Sequence, residues 1–382
     1  MKIVKADAAL FDPEQLGLTP YQFIERIGRI CYKSEDKITD ESSIKFVNAL
    51  SKNQHTAMFE HANLYITMSM GDYIVIKAIL DIEAEQVLTD AMPPIPLKTF
   101  FRMTDYGNTR VISANFRAWS QLLEWYSNLS YESLQKILTS SYFTNLRIQA
   151  SYMGKILHTL KPILRVKMKL HAKYPEIFRY DCSPDEIEII NSNTSSDRIK
   201  IFDNNTAFID YIWDSSTAPE DVVNAILKQH VVHTVIFTCD RGISHELVRH
   251  RPASYAQEST RFCNYGINKF GKEITVIEPC YWTNKTDAAY QNWYDSCLFS
   301  EEKYFALLDS GCTAQQARGV LPTDLKTEIA VTATENEWEH ILNLRLLGTT
   351  GKPHPKMIEV MNIAYPQLHK ISNNRLTIRA YY

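Results

Sequence analysis

Side chains that bind anions are concentrated in one short stretch of the chain. Arg249, His250 and Arg251 are followed, after seven residues, by Ser259 and then by Arg261. A guanidinium stays charged at neutral pH, fits phosphate oxygens with a planar set of donors and stacks on aromatic rings. Histidine and serine add donors of smaller size. This combination predicts a nucleotide-binding site.

The triplet has a second interpretation, a solvated basic helix end that interacts with its own C-terminal dipole. The polar run at 254–261 comes directly after an apolar strand and a helix. This position favours residues that line a binding site over the solvated helix end. His250 lies between two cations that disfavour its imidazolium form. It is therefore expected to be neutral near pH 7, with one donor and one acceptor nitrogen.

The stretch RHRPASYAQESTR resembles the signature of the flavin-dependent thymidylate synthases, which is Arg-His-Arg, seven residues and Ser. Residues 317–333 (ARGVLPTDLKTEIAVTA) resemble the second block of that family, and 337–345 (EWEHILNLR) with His354 and Pro355 resemble its third. Residues 29–38, His55 and 59–66 (FEHANLYI) resemble its opening helix and first strand. The resemblance leaves the long middle of the chain uncovered.

The resemblance implies a reductive methylation of dUMP to dTMP, with 5,10-methylenetetrahydrofolate as carbon donor. It implies FAD as the hydride source, NADPH as the reductant that reloads the flavin, and a homotetramer. It also implies that no cysteine serves as nucleophile. Cys31, Cys239 and Cys263 agree, because none of them lies in a recognisable activating motif.

Carried over residue by residue, the resemblance places six positions in the dUMP site: Glu246, Gln257, Ser259, Arg261, Arg318 and Arg345. It places five positions at the FAD site: His61, Arg249, His250, Arg251 and His340. His250, Ser259 and Arg345 are the candidate catalytic residues. A hydroxyl at Ser259 suits phosphate better than nucleophilic attack, because no general base is assured beside it. Arg345 suits the pyrimidine carbonyls, where it could stabilise developing charge.

One part of the family pattern is missing. After the second block the family usually carries Asn-x-Arg, which contributes to flavin binding, whereas this chain has Thr334, Glu335 and Asn336. Asn115-x-Arg117 lies at another predicted strand-to-helix turn. We hypothesise that Asn115 and Arg117 join the FAD site and supply part of the lost flavin contact, from the same or a neighbouring subunit. The alternative is an ordinary helix start with Asn115 as N-cap.

Composition favours an enzyme of the cytoplasm, or of a host cytoplasm if the source is viral. The 382 residues are 45% hydrophobic, with a net charge of -3 and a pI near 6.4. A bulk attraction to nucleic acid or membranes usually needs a basic excess, so neither partner is expected. No apolar run approaches the roughly 20 residues of a membrane span. Seven scattered cysteines without C-x-x-C indicate neither a disulfide framework nor a zinc knuckle.

Histidines are dense before the signature, at His230, His233, His245 and His250, with Cys239 among them. His230 and His233 lie where a helical pattern changes to a strand, so they would not share a regular face. Hydrogen-bonded core histidines are favoured over a metal site, and no metal is predicted.

The hydrophobic pattern predicts an α+β or mixed α/β fold. We expect a core of residues 1–69 and 229–382, with an insertion at 70–228 folded onto it. Strands are predicted at 63–70, 110–114, 231–238, 273–277 and 326–332, with strand-like runs in 185–202. Helices are predicted at 21–32, 41–52, 72–86, 116–126, 142–173, 242–249, 288–308, 335–346 and 355–365.

Two other functions remain open at this point. The first is a degenerate homologue that binds flavin or nucleotide without turnover, which the missing Asn-x-Arg suggests. The second is a nucleic-acid-binding module built on the Arg-His-Arg cluster, for which the net charge of -3 is unfavourable.

Overall fold

The computed structural model describes residues 1–86, 97–129, 160–191 and 198–378. Its strands are β1 (Lys2–Val4), β2 (Asp7–Phe11), β3 (Asn63–Thr67), β4 (Arg102–Tyr106), β5 (Thr109–Asn115), β6 (Lys200–Phe202), β7 (Val232–Asp240), β8 (Ser254–Gln257), β9 (Thr275–Ile277) and β10 (Lys326–Thr334). Its α-helices are α1 (Pro20–Tyr32), α2 (Ser42–Lys52), α3 (Met70–Gln86), α4 (Phe116–Ser127), α5 (Lys161–Lys173), α6 (Pro184–Asn191), α7 (Asn205–Ser215), α8 (Glu220–His230), α9 (Arg241–Leu247), α10 (Ala288–Asp309), α11 (Ala314–Ala317), α12 (Glu335–Leu342) and α13 (Pro355–Ile371). The mixed α+β prediction is confirmed.

The chain forms two compact units, Met1–Ser42 with Val231–Tyr382, and Ser43–His230. We call them the first and second unit. The predicted division placed 43–69 with the termini, whereas the contacts group this segment with the middle of the chain. The reason is strand pairing, because β3 is bonded on both sides by β5 and β6.

The first unit is built on an antiparallel sheet in the order β2-β7-β10-β8. The long strands β7 and β10 pair along their whole length, from Lys326 opposite Asp240 to Thr334 opposite Val232. Val235, Phe237 and Val331 are fully buried on this sheet, where Trp338 of α12 packs among them. The Trp338 indole Nε1 donates to the His233 carbonyl at 3.0 Å, which fixes α12 against the end of β7.

A second cluster of the first unit lies around α10 and the parallel pair β1-β9. Helix α1 begins with a capping box, in which Thr19 and Gln22 satisfy each other's backbone groups and Pro20 takes the first turn. Apolar side chains at helical spacing, including Ile24 and Ile27, then bury one face of α1.

The second unit contains the antiparallel sheet β4-β5-β3-β6. Every residue of β3 is buried, as expected for a central strand covered on both faces. Tyr65 of β3 stacks on Phe208 of α7, with ring centroids 4.3 Å apart. Helix α4 buries Phe116 and Trp119 in the same unit.

The prediction of strand-like runs from residue 185 was wrong at its start, because residues 184–191 form helix α6. Ser183 and Glu186 form a reciprocal cap: the Glu186 amide donates to Ser183 Oγ at 3.2 Å, and the Ser183 amide donates to Glu186 Oε2 at 2.7 Å. This Ser-x-x-Glu signal outweighs the strand propensity of the isoleucines. The predicted helix at 142–173 is confirmed over α5, and its part at 142–159 lies outside the described residues.

No described helix is long and apolar enough to cross a membrane.

Candidate active site

The Arg-His-Arg triplet is positioned by a capped strand-to-helix turn in the first unit. The Asp240 carboxylate ends β7 and accepts from the Ile243 amide at 2.8 Å, which starts α9. Asp240 is itself buried and lies 3.0 Å from Nζ of the buried Lys356. Helix α9 ends at Leu247, so the triplet lies in the turn that leads to β8. The Tyr255 hydroxyl then donates to the His250 carbonyl at 2.8 Å and ties the turn to that strand.

Arg345 joins the third sequence block to the first. Its Nε donates to His250 Nε2 at 2.8 Å, and its NH1 donates to Glu246 Oε2 at 2.9 Å. A third donor reaches the Glu246 carbonyl at 3.3 Å. The structure therefore brings Arg345 together with two predicted site residues, His250 and Glu246, that lie 95 and 99 positions before it in the chain.

The helix that carries Arg345 is not the regular α-helix predicted at 335–346. Helix α12 ends at Leu342, and Asn343–Leu347 form a π-helical turn. Such turns insert one extra residue into a helix and are frequent at functional sites. Gly348 ends the turn at a φ of 73°, where an added Cβ would lie 2.8 Å from Pro353 Cδ. A glycine is required there by both the backbone conformation and the close approach of Pro353.

His250 is buried, with 5% of its surface exposed. Burial, and after it the positive charge of Arg345 and the neighbouring His340, lowers the pKa of its imidazole to about 4. The ring is therefore neutral at pH 7, as the sequence predicted, although the chief cause is burial rather than the flanking arginines. Because Nε2 accepts from Arg345, the proton of the neutral ring is on Nδ1.

Glu337 and His340 of α12 face this histidine. One ligand-type atom from each of His250, Glu337 and His340 lies within 4.8 Å of the others. The His250 and His340 rings are 6.1 Å apart at 76°. Burial raises the pKa of the Glu337 carboxyl to about 7. Glu337 was not among the predicted site residues, and its only sequence signal is the i, i+3 spacing to His340.

A cavity of about 490 Å³ opens beside the Arg345–Glu246 pair. Its walls come from those two residues, Leu344, and the loop from Thr350 to His354. A guanidinium and a carboxylate at one wall offer both a donor and an acceptor to a planar ring edge. The volume is within the range of small-molecule sites.

Four further dUMP candidates lie in the same unit. The Gln257 amide donates to Ser244 Oγ at 2.7 Å and to Thr327 Oγ1 at 3.2 Å. Ser259 Oγ accepts from the Arg261 amide at 3.3 Å. Arg261 Nε donates to Gln315, three residues before the exposed Arg318. Two exposed guanidinium groups are thus available close to the same helical segment.

Three predicted flavin residues lie together in the second unit. In the β3–β5 pairing Asn63 is opposite Asn115, so His61 and Arg117 lie at the same end of the sheet. Arg117 forms an ion pair with Glu60. Asn115 Oδ1 accepts from the Ala118 amide at 2.8 Å, which is the N-cap that the alternative interpretation required.

The sequence profile described as "Thymidylate synthase complementing protein" matches residues 176–371, more than half of the chain. The chain belongs to this family. The matched range includes the triplet, the Arg345 turn and the cavity loop. It begins at residue 176, inside the segment predicted to be an insertion.

Relatives of known name are flavin-dependent thymidylate synthases, which is consistent with membership of the thymidylate synthase complementing protein family. The flavin-dependent thymidylate synthase of Thermococcus onnurineus is 31% identical over 150 residues, 39% of this chain and 58% of the relative. That of Sulfolobus acidocaldarius is 38% identical over 149 residues, 37% of this chain and 54% of the relative. The chain thus spans just over half the length of these relatives. A solved structure of the UMP/dUMP methylase PolB from Streptomyces cacaoi is similar at a TM-score of 0.34 and 18% identity, over 44% of this chain and 83% of that chain.

The turn that departs from the family pattern is occupied by a buried ion network. Thr334 caps α12 by accepting from the Glu337 amide at 3.2 Å. Glu335 is fully buried and accepts two hydrogen bonds from Arg375, at 2.7 and 3.0 Å. Its Oε1 also lies 3.0 Å from His233 Nε2. Burial alone would raise the pKa of Glu335, but hydrogen bonds from His233 and Arg375 hold it below its ordinary value. The buried Glu335–Arg375 ion pair therefore occupies this turn.

Two of the histidines before the signature, His230 and His233, are hydrogen-bonded core residues, as predicted, whereas His245 is exposed. His230, in the second unit, contacts Thr104 Oγ1 at 2.8 Å and Ser113 Oγ at 2.7 Å. Burial, and after it Arg102, lowers the pKa of His230 to about 3. His233, in the first unit, is buried and has the Glu335 carboxylate as its partner.

Proposed function

We propose that this protein methylates dUMP reductively to dTMP, with 5,10-methylenetetrahydrofolate as carbon donor and NADPH as the final reductant. Membership of the thymidylate synthase complementing protein family supports the reaction class. One structural observation supports the position of the site: Arg345 holds both Glu246 and the neutral His250 beside a cavity of about 490 Å³.

The residues of the cavity suit a pyrimidine nucleotide. Arg345 can donate to a ring carbonyl and stabilise negative charge that develops on the ring. Glu246 can accept from a ring N–H, and its pairing with Arg345 compensates the charge of the carboxylate. Arg261 and Arg318 are exposed and suited to the phosphate.

The FAD that the family implies fits the chemistry of the triplet. Arg249 and Arg251 are exposed, and in the described parts of the chain neither guanidinium makes a hydrogen bond or an ion pair with another side chain. Such donors suit a diphosphate. The buried, neutral His250 lies between them in the chain, with His340 beside it. We propose that His61, Asn115 and Arg117 also bind FAD, from the same or a neighbouring subunit. When bound, the flavin would supply the hydride.

A cysteine nucleophile is not needed in this proposal, and the thiols near the signature are poorly suited to that role. Burial raises the pKa of Cys31 to about 11 and that of Cys263 to about 12. A thiol with so high a pKa is almost wholly protonated at pH 7. We propose a homotetramer in the cytoplasm, and seven free cysteines are consistent with a reducing compartment.

The test is anaerobic turnover of the purified protein with FAD, NADPH, methylenetetrahydrofolate and dUMP, with dTMP as the readout. His250→Ala should lower dTMP formation at least tenfold. His245→Ala is the matched control, because His245 is an exposed histidine on α9 outside the predicted site. Flavin-dependent dTMP that falls only in the His250 variant would support the proposal.

The second candidate function is a binding homologue without turnover. The observation that favours it is the Glu335–Arg375 pair, which occupies the turn where the family usually has Asn-x-Arg. A protein that binds FAD, shifts its absorption on adding dUMP and makes no dTMP would establish this candidate and contradict the first.

A further inference from the structure

Glu337 has a buried oxygen that the proposed function does not explain. Among the described residues, Glu337 Oε1 has no hydrogen-bond partner. A buried polar atom without a partner costs free energy, so this carboxyl oxygen favours a hydrogen-bond donor close by. Its neighbours across the cluster are His250 and His340, with ligand-type atoms within 4.8 Å.

A metal ion at this cluster is opposed by the hydrogen bond from Arg345. Binding a cation requires a lone pair on the imidazole. The Nε2 lone pair of His250 already accepts from Arg345 Nε at 2.8 Å, and the other nitrogen then carries the proton. Arg345 also brings a positive charge next to the ring. A hydrogen bond is the better match, because Nδ1–H of His250 is a donor and the buried Oε1 of Glu337 is an acceptor without a partner among the described residues.

The charged and titratable groups around Glu337 come from four elements. His340 lies on its own helix, His250 lies in the turn, and Arg345 lies on the π-helical turn behind His250. Burial, and after it the negative charge of Glu337, raises the pKa of Tyr255 on β8, whose hydroxyl donates to the His250 carbonyl. Among these groups Glu337 is a carboxylate that can accept from the ring of His250.

We propose that Glu337 is a positioning residue, which in its ionised form accepts from Nδ1–H of His250, directly or through one water, and holds the ring for catalysis. Ligand-type atoms of His250 and Glu337 lie within 4.8 Å, a separation that one bridging water or a rotamer change can span. Acceptors behind a functional histidine commonly fix its tautomer and orientation. This inference rests on the proposed function, since it assigns His250 a role in turnover.

The competent form of the site then carries Glu337 as a carboxylate. Because burial raises the pKa of this group to about 7, turnover should rise with pH through a midpoint near 7. Glu337→Gln keeps the shape of the side chain but cannot ionise. It should lower kcat roughly tenfold to a hundredfold at pH 8 and leave the KM for dUMP within about threefold. It should also abolish the rise of kcat with pH near 7, which we call the limb.

The experiment measures kcat and KM for dTMP formation from pH 5.5 to 9 in the wild type, Glu337→Gln, Glu337→Asp and Glu339→Gln. Glu339 lies on the same helix and accepts from the Thr377 amide, so Glu339→Gln is the matched control. Glu337→Asp should retain the limb at reduced kcat, which separates ionisation from folding. Circular dichroism checks that each variant is folded.

The outcomes separate this inference from the function it rests on. An active wild type whose Glu337→Gln variant keeps the limb near pH 7, or loses kcat equally at every pH, would overturn the role of Glu337 alone. A folded wild type that makes no dTMP at any pH would overturn the proposed function and the positioning role with it. Loss of the limb in Glu337→Gln only is the expected result.

Discussion

The two units each contain a strand that runs directly into a capped helix, and the two turns use their charges in opposite ways. Asn115 caps α4 in the second unit, and Thr334 caps α12 in the first. In the second unit the nearby cation, Arg117, is exposed over about a third of its side chain and pairs with Glu60. In the first unit the nearby anion, Glu335, is fully buried and pairs with Arg375.

The difference lies in what each ion pair leaves available. A fully buried pair must be complete within the protein, because removing one partner strands the other charge. A partly exposed pair contributes little to stability and leaves donors for a ligand. Similar capped turns thus hold a structural element in the first unit and a candidate anion-binding element in the second.

The largest effect should come from breaking the buried pair. Arg375→Met leaves Glu335 charged and without the two hydrogen bonds from Arg375, and we expect a loss of about 3–5 kcal/mol in the free energy of unfolding. Urea denaturation monitored by fluorescence measures this loss. The double variant Glu335→Gln with Arg375→Met should recover much of it. A loss below about 1 kcal/mol in the single variant would show that the turn does not depend on this pair.

Acid should weaken the same element. The folded pKa of Glu335 lies below its ordinary value of 4.5, so its stabilisation is present above that value and is lost as the pH falls through the folded pKa. The difference in stability between wild type and Glu335→Gln should therefore shrink as the pH falls below 4.5. An unchanged difference between pH 7 and pH 3 would contradict the assigned cause.

Glu337, two residues after Glu335, should behave in the opposite sense. Its folded pKa is raised from 4.5 to about 7, so stabilisation by the protonated form is complete below 4.5 and is lost as the pH rises through 7. After allowance for partial exposure, wild type should lose about 1–2 kcal/mol relative to Glu337→Gln between pH 5 and pH 8. Thermal denaturation at both pH values measures this, and parallel changes in the two proteins would refute it.

The two caps should contribute comparably. Asn115→Ala and Thr334→Ala each remove a side-chain acceptor from a helix start, and each should cost about 1 kcal/mol of stability. Urea denaturation compares them directly. If Thr334→Ala alone cost far more, the cap would be inseparable from the buried Glu335 network, and the comparison of the turns would need revision.

Arg117→Ala should change stability least, by less than about 0.5 kcal/mol, because its ion pair is partly exposed. If the hypothesis for the second unit holds, the same variant should weaken FAD binding roughly tenfold. Fluorescence titration with FAD measures this, and Arg249→Ala serves as the comparison in the first unit. Unchanged affinity in Arg117→Ala beside weakened affinity in Arg249→Ala would leave Asn115 as a helix cap only.

Sequence patterns predicted the long elements of the first unit and the motif residues on them. Strands β7 and β10 were recognisable because their apolar runs are bounded by polar turns, and Arg345 was identified from its sequence block. The Arg345–His250 contact could not be derived, since it depends on pairing between segments about 95 positions apart. Glu337 was missed because a partly buried carboxylate has the same sequence pattern as a solvated one.

One local signal was present but outweighed, and two features gave no local signal. The Ser183–Glu186 cap was present in the sequence, but the isoleucines after it have strand propensity. The π-helical turn at Asn343–Leu347 has the composition of an ordinary helix, so its periodicity gave no indication of an added residue. The position of β3 depends on its partners β5 and β6, which are far away in the chain.

The π-helical turn makes the direction of Arg345 a matter of residue count as well as residue type. Each α-helical residue turns the chain by about 100°, so removing one residue from Asn343–Leu347 would rotate the rest of the turn by that angle relative to α12. A single-codon deletion or insertion in this helix could therefore redirect the guanidinium without altering any side chain around it. Length variation at this point gives evolution a route to reshape the pocket that point substitutions do not provide.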